Sequence, residues 1–124
     1  MKDTIAKKTG WVLGVLAAVI GMISSGPLPA LETGTRLEQG KQLSMSRKKG
    51  NCLACHAFDD GVLPGNIGPP LVSMQLRFPD REILRAQIAD AAQRNPETRM
   101  PPFGRHGILT NEEIDLIVDY IHTL

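Results

Sequence analysis

Cys52-Leu53-Ala54-Cys55-His56 sets two thiols three residues apart and an imidazole directly after the second. Thiols one helical turn apart can add across the two vinyl groups of a porphyrin, and the adjacent His then faces the iron. The pattern C-x-x-C-H is accordingly the attachment signature of a c-type haem. Other uses of a C-x-x-C pair need features this chain lacks. A thioredoxin-like redox pair belongs to a βαβ context, and a zinc site needs a further pair of Cys or His at ligand spacing. Both cysteines of the chain lie in the motif, and the other imidazoles are His106 and His122. The expected cofactor is one covalent haem c, attached at Cys52 and Cys55, with His56 as an iron ligand.

What fills the sixth position on such an iron decides the class of function, because a His/Met pair raises the reduction potential relative to two imidazoles. Past the N-terminal segment the chain offers Met45, Met74 and Met100. Met45 precedes the motif on a predicted helix and reads as a core or surface side chain. Met74 follows Gly68-Pro69-Pro70-Leu71 in a loop and is a possible ligand, but fits better as a gap-filling apolar residue. Met100 stands in Arg99-Met100-Pro101-Pro102-Phe103-Gly104, where two prolines restrict the backbone and lower the entropy cost of presenting a weak ligand. Met100 is the expected distal ligand. His106, in the same loop, is its rival but reads as a solvated side chain between Arg105 and Gly107, and His122 as a cation or wet side chain at a helix C-terminus.

These residues need elements to hold them, and the apolar pattern is helical wherever it is periodic. The fold class expected is all-α, with three main helices and long loops around the haem. A first helix is predicted over residues 36–49, with Gly40 on it; a Gly inside a helix costs about 1 kcal/mol against Ala, so a close helix contact is implied there. A second starts at Asp80, an N-cap after Pro79, and puts Ile83, Leu84, Ile88 and Ala91 on one side before Asn95-Pro96 ends it. The third has the clearest start signal, the T-x-x-E capping box Thr110-Asn111-Glu112-Glu113. Ile114, Ile117, Val118 and Ile121 follow at helical spacing as its core face, with Tyr120 near it.

Lys2, Lys7 and Lys8 precede an apolar run over residues 11–23 and then Ser24-Ser25-Gly26-Pro27, the layout of an export signal. The run is shorter than the roughly 20 residues of a membrane span. Ser24-Ser25-Gly26 is followed by an unsuitable Pro27, so cleavage is expected after Ala30, with an uncleaved anchor as the alternative. That makes residues 1–30 an export signal sequence and 31–124 a single haem domain, placed in the periplasm. Residues 31–124 carry 11 basic and 12 acidic side chains, a balance that gives no reason to expect a nucleic-acid partner. A domain of this size has a marginal core, which the haem would complete.

Packing of Tyr120 against the first helix around Gly40 would resemble the crossed terminal helices of class I cytochromes c. In that class a G-P-x-L motif supplies a Pro carbonyl to the proximal His, which by resemblance makes Pro69 the partner of His56. A narrower likeness runs from Gly50 to Leu124. Gly50-Asn51-Cys52-Leu53-Ala54-Cys55-His56, Pro64-Gly65-Asn66-Ile67-Gly68-Pro69-Pro70-Leu71 and Asn95-Pro96-Glu97-Thr98-Arg99-Met100-Pro101-Pro102-Phe103-Gly104 resemble SoxX, the monohaem cytochrome subunits of the sulfur-oxidising Sox system. The resemblance implies a periplasmic heterodimer with a SoxA-like cytochrome, in which thiosulfate is oxidatively coupled to a cysteine of a SoxYZ-like carrier protein. It also implies Cys52 and Cys55 as haem attachments, with His56 proximal and Met100 distal.

The cysteine count constrains that role. With both thiols in thioether bonds the chain has none left for a sulfur intermediate, so the sulfur chemistry of an L-cysteine S-thiosulfotransferase complex would sit on the partner. This subunit would accept the electrons released and pass them to a diffusing cytochrome acceptor. Two other classes remain: a small electron shuttle, and a catalytic haem protein of the peroxidase or gas-binding kind. The first two differ in surface, since a subunit should expose a larger apolar patch than a shuttle.

Overall fold

A computed structural model describes residues 29–59 and 61–124. The export-signal reading concerns residues 1–30 and so lies almost wholly outside the described residues, as does Asp60. The described part is helical with no strand: α1 (Pro29–Met45), α2 (Met74–Arg77), α3 (Arg81–Ala89) and α4 (Asn111–Ile121), with 3-10 turns at Cys52–Ala54 and Ala91–Gln93. None of its helices is long and apolar enough to cross a membrane.

Helix α4 forms as the sequence dictates. The Thr110 hydroxyl accepts from the Glu113 N–H at 3.1 Å and the Glu113 carboxylate accepts from the Thr110 N–H at 2.9 Å, closing the capping box. Its inner face, Ile114, Ile117, Val118 and Ile121, is at most 2% exposed. Against that helix lies α1, and Gly40 is the reason the two approach closely: a Cβ there would stand 2.1 Å from the Leu116 carbonyl oxygen and 2.8 Å from Tyr120 Cβ. Phe58 meets Tyr120 edge to face, with ring centroids 6.3 Å apart. The Tyr120 hydroxyl donates to Asp59 at 2.8 Å, tying the loop after the C-x-x-C-H motif to α4.

Charges fasten the far side. Asp119 on α4 accepts from Arg36 of α1 at 2.7 Å and from Arg81 of α3 at 2.5 Å, and Arg85 of α3 reaches Asp115 at 2.7 Å. Burial pushes the Asp119 carboxyl up, but the two guanidiniums outweigh it and hold the group below the usual carboxylate range.

Several boundaries differ from expectation. Helix α1 starts at Pro29 rather than residue 36, proline being well suited to a first helical position, and ends at Met45 rather than 49. After Met45 the chain turns, with Lys49 N–H bonded to Ser46 O at 3.0 Å. Cleavage after Ala30 would fall inside this helix. Asp80 caps α3 as expected, accepting from Glu82 N–H at 2.8 Å, but the helix stops at Ala89. There the Ala89 carbonyl takes the Gly104 N–H at 2.9 Å, a tertiary bond that displaces the next helical one. Leu84, Ile88 and Ala91 are buried, whereas Ile83, one residue off that stripe, is 44% exposed. The single turn α2 was not expected.

Candidate haem site

The motif sits where α1 hands over to a loop. Asn51 takes a left-handed conformation (φ 48°), after which Cys55 and His56 N–H both bond to Cys52 O, at 3.1 and 2.9 Å, forming the tight turn that carries the two thiols. Both cysteines are unpaired and partly buried. Burial pushes the Cys52 thiol up to about 11, the direction expected of a cysteine in apolar surroundings. No cluster of three or more potential metal ligands of the Cys, His, Asp and Glu types occurs among the described residues.

The segment that follows folds back over the motif. Gly65 N–H bonds to Leu53 O at 2.8 Å, Gly68 N–H to Cys55 O at 2.9 Å and Leu71 N–H to Ala57 O at 2.9 Å, so residues 65–71 form a strap along residues 53–57. His56 Nδ1 lies 2.7 Å from Pro69 O, the partner implied by the resemblance. A carbonyl only accepts, which puts the proton on Nδ1 and leaves the Nε2 lone pair for a metal. Gly68 makes this approach possible: a Cβ there would be 2.3 Å from His56 Cε1.

Cys52, Cys55 and His56 line a cavity of about 960 Å³ whose lining also includes Leu84, Ile88, Ile117 and Ile121 from α3 and α4. That volume is at the upper end of small-molecule and cofactor sites, roughly 300–1,000 Å³. The α3 and α4 residues at its wall are themselves packed into the core, at most 6% exposed, so the cavity has a firm apolar floor that suits a porphyrin. Met100 lines it too and is partly buried. Of the other candidates Met74 also lines it, but is 2% exposed in the core and its sulfur lies 3.4 Å from Arg77 Nη1 as an acceptor. Met45 packs on the core outside the cavity. His106 is exposed and does not line it. His122 stands at the C-terminal end of α4, partly buried, with its Nε2 donating to Phe78 O at 3.0 Å.

A family model described as cytochrome c oxidase, cbb3-type, subunit III matches residues 35–121, most of the chain. The chain belongs to this cytochrome c family. The all-α fold is that of a class I cytochrome c, and membership carries electron transfer and a covalently bound haem c, which the C-x-x-C-H spacing and the apolar cavity fit. A stretch of 76 residues is also 42% identical to an uncharacterized lipoprotein of Aquifex aeolicus (strain VF5). It makes up 60% of this cytochrome and 37% of that protein, so the cytochrome spans little more than a third of its relative's length. When bound, haem c supplies a one-electron iron couple, and the residues lining the cavity would hold and orient it.

The sequence reading missed Arg77, which donates from Nη1 to Pro70 O at 2.7 Å beside the His56 acceptor. Its only signal was position, seven residues beyond a Pro-Pro pair.

Proposed function

We propose that this cytochrome is the electron-transfer subunit of a periplasmic thiosulfate-oxidising Sox complex, its haem held by thioethers from Cys52 and Cys55 and ligated by His56 and Met100. The observation that carries the ligation is the meeting in one cavity of an imidazole committed through Nδ1 to Pro69 and a thioether on a proline-restricted loop. With both His56 and Met100 ligating, no position would be left for a substrate at the iron. This favours electron transfer over peroxidase or gas-binding chemistry.

Sequence resemblance over residues 50–124 supports the Sox assignment. The surface supports a subunit over a shuttle. From Gly61 to Leu76 the chain has no charged residue, and within that stretch Val62, Leu63, Val72 and Leu76, none of them lining the cavity, are between 56% and 93% exposed. An uncharged apolar segment beside the motif suits lasting contact with a SoxA-like cytochrome better than transient docking. Sulfur chemistry stays on that partner and on a SoxYZ-like carrier, because both thiols here are taken. The relative's description as a lipoprotein supports export of this chain as well.

The test is reconstitution. The purified holoprotein alone is expected to be neither reduced by thiosulfate nor active in coupling it; with the SoxA-like partner and the carrier, haem reduction should depend on thiosulfate. Turnover by the subunit alone, or no complex with the partner at micromolar concentration, would replace this reading with that of an electron shuttle.

A further inference from the structure

We infer that Arg77 is a positioning residue for the proximal ligand, setting the strength of the His56 hydrogen bond through the proline pair. The inference rests on His56 being an iron ligand.

Pro69 and Pro70 have no N–H, so this part of the strap cannot be fastened through its own donors and its carbonyls must be captured from outside. Each peptide around the His56 acceptor is held separately. The N–H of Gly68 is on Cys55 O, the N–H of Leu71 is on Ala57 O, and the carbonyl of Pro70 is on Arg77. Besides His56, Arg77 is the one side chain that hydrogen-bonds residues 65–71 among the described residues. Its guanidinium has no carboxylate partner there; its polar contacts are Pro70 O and the Met74 sulfur. A charge-assisted bond to a carbonyl is shorter and stronger than a neutral one, and the 2.7 Å separation fits that class. The backbone reaches Arg77 through α2, whose Met74 is anchored in the core and whose Met74 N–H bonds to Leu124 O at 2.7 Å. The guanidinium is therefore delivered from a fixed base.

Fixing Pro70 holds the Pro69 carbonyl in line with Nδ1–H. A metal-bound imidazole with a strong Nδ1–H bond is a more basic ligand and favours the oxidised iron. Loosening that carbonyl should weaken the bond and raise the reduction potential. Loss of a positive charge beside the cavity would act in the opposite direction, disfavouring the reduced form. The sign of the shift thus separates positioning from plain electrostatics.

The experiment uses the reduced holoprotein, in which the His56 Nδ1 proton is followed by NMR hydrogen exchange and the potential by redox titration. Arg77→Leu is expected to speed exchange of that proton by about tenfold or more, the scale of one lost charge-assisted bond, and to raise the potential. Arg77→Lys keeps a charge and a donor and is expected to restore slow exchange. Unchanged exchange in Arg77→Leu, a lowered potential, or failure of lysine to rescue would each overturn the role. Wild-type protein purified without covalent haem would overturn the functional reading beneath it, whereas wild-type haem c with unaltered exchange in Arg77→Leu overturns only the role of Arg77.

Discussion

The two sides of the cavity are built differently. On the His56 side, residues 65–71 are stitched to residues 53–57 by three backbone hydrogen bonds, with Arg77 adding a fourth fastening at Pro70. On the Met100 side the loop bonds mostly to itself: Met100 N–H to the Thr98 hydroxyl at 3.2 Å, Phe103 N–H to Pro101 O and His106 N–H to Pro102 O at 3.0 Å. Its ties to the rest are the Gly104 bond to Ala89 O, a 3.4 Å pair between Arg105 and Asp90, and the buried side chains of Phe103 and Leu109. The proposed imidazole ligand is thus held by backbone geometry, and the proposed thioether ligand by an apolar-plugged loop. The distal side should yield first under any perturbation.

The comparison breaks most completely when neither side has anything to face. Cys52→Ala with Cys55→Ala is expected to leave a chain largely without stable helix, because α3 and α4 turn core residues toward the cavity. Far-UV circular dichroism and a thermal melt check this, and a native-like spectrum with cooperative unfolding in the haem-free variant would contradict it.

Gly68→Ala attacks the proximal side alone. Its new methyl group would enter the His56 ring, so a loss of about 2–3 kcal/mol in stability is expected, together with a lower yield of six-coordinate haem in the visible spectrum. Normal ligation at wild-type stability would show the strap to be pliable.

Met100→Ala attacks the distal side. It should cost about 1–2 kcal/mol, less than a fully buried Met, while abolishing the weak near-infrared absorption of an iron–thioether bond in the oxidised protein and lowering the reduction potential. An unchanged band would remove Met100 from the ligand set, and loss of the band in a Met74 variant would transfer the role there.

Asp119→Asn serves as the control, remote from either ligand. Its two arginine partners are partly exposed, so about 1 kcal/mol is expected rather than the cost of a fully buried pair, with the haem spectrum unchanged. Because the folded carboxyl sits below its unfolded value of about 3.9, wild type holds this contribution in full above that value and loses it as pH falls through the folded pKa. The stability gap between wild type and variant should close in that acidic range; a gap that persisted there would show that the carboxylate charge is not the cause.

Local signals carried most of what could be read without coordinates. The capping box, the Asp80 cap and the mid-helix Gly40 each act through a few neighbouring residues or through a steric demand visible in one residue type. Pro69 was legible only by resemblance, since nothing local marks one carbonyl as the acceptor for a ring 13 residues away. The end of α3 was not legible, because it is set by Gly104 arriving from another part of the chain. One-turn α2 is too short for periodicity to register, and with it went the chance to see Arg77. Met100 and Met74 were separable by proline context, yet both line the cavity, and the sulfur contact that distinguishes them spans three residues of a turn too short for periodicity to reveal.

Gly50 packs so closely over the motif that a Cβ on it would stand 3.2 Å from Cys52 Sγ and 2.9 Å from Leu43 O. In the closed fold one thiol is therefore roofed by backbone on one side and faces the cavity on the other. A side chain at position 50 would therefore crowd the same sulfur that is expected to bond the porphyrin.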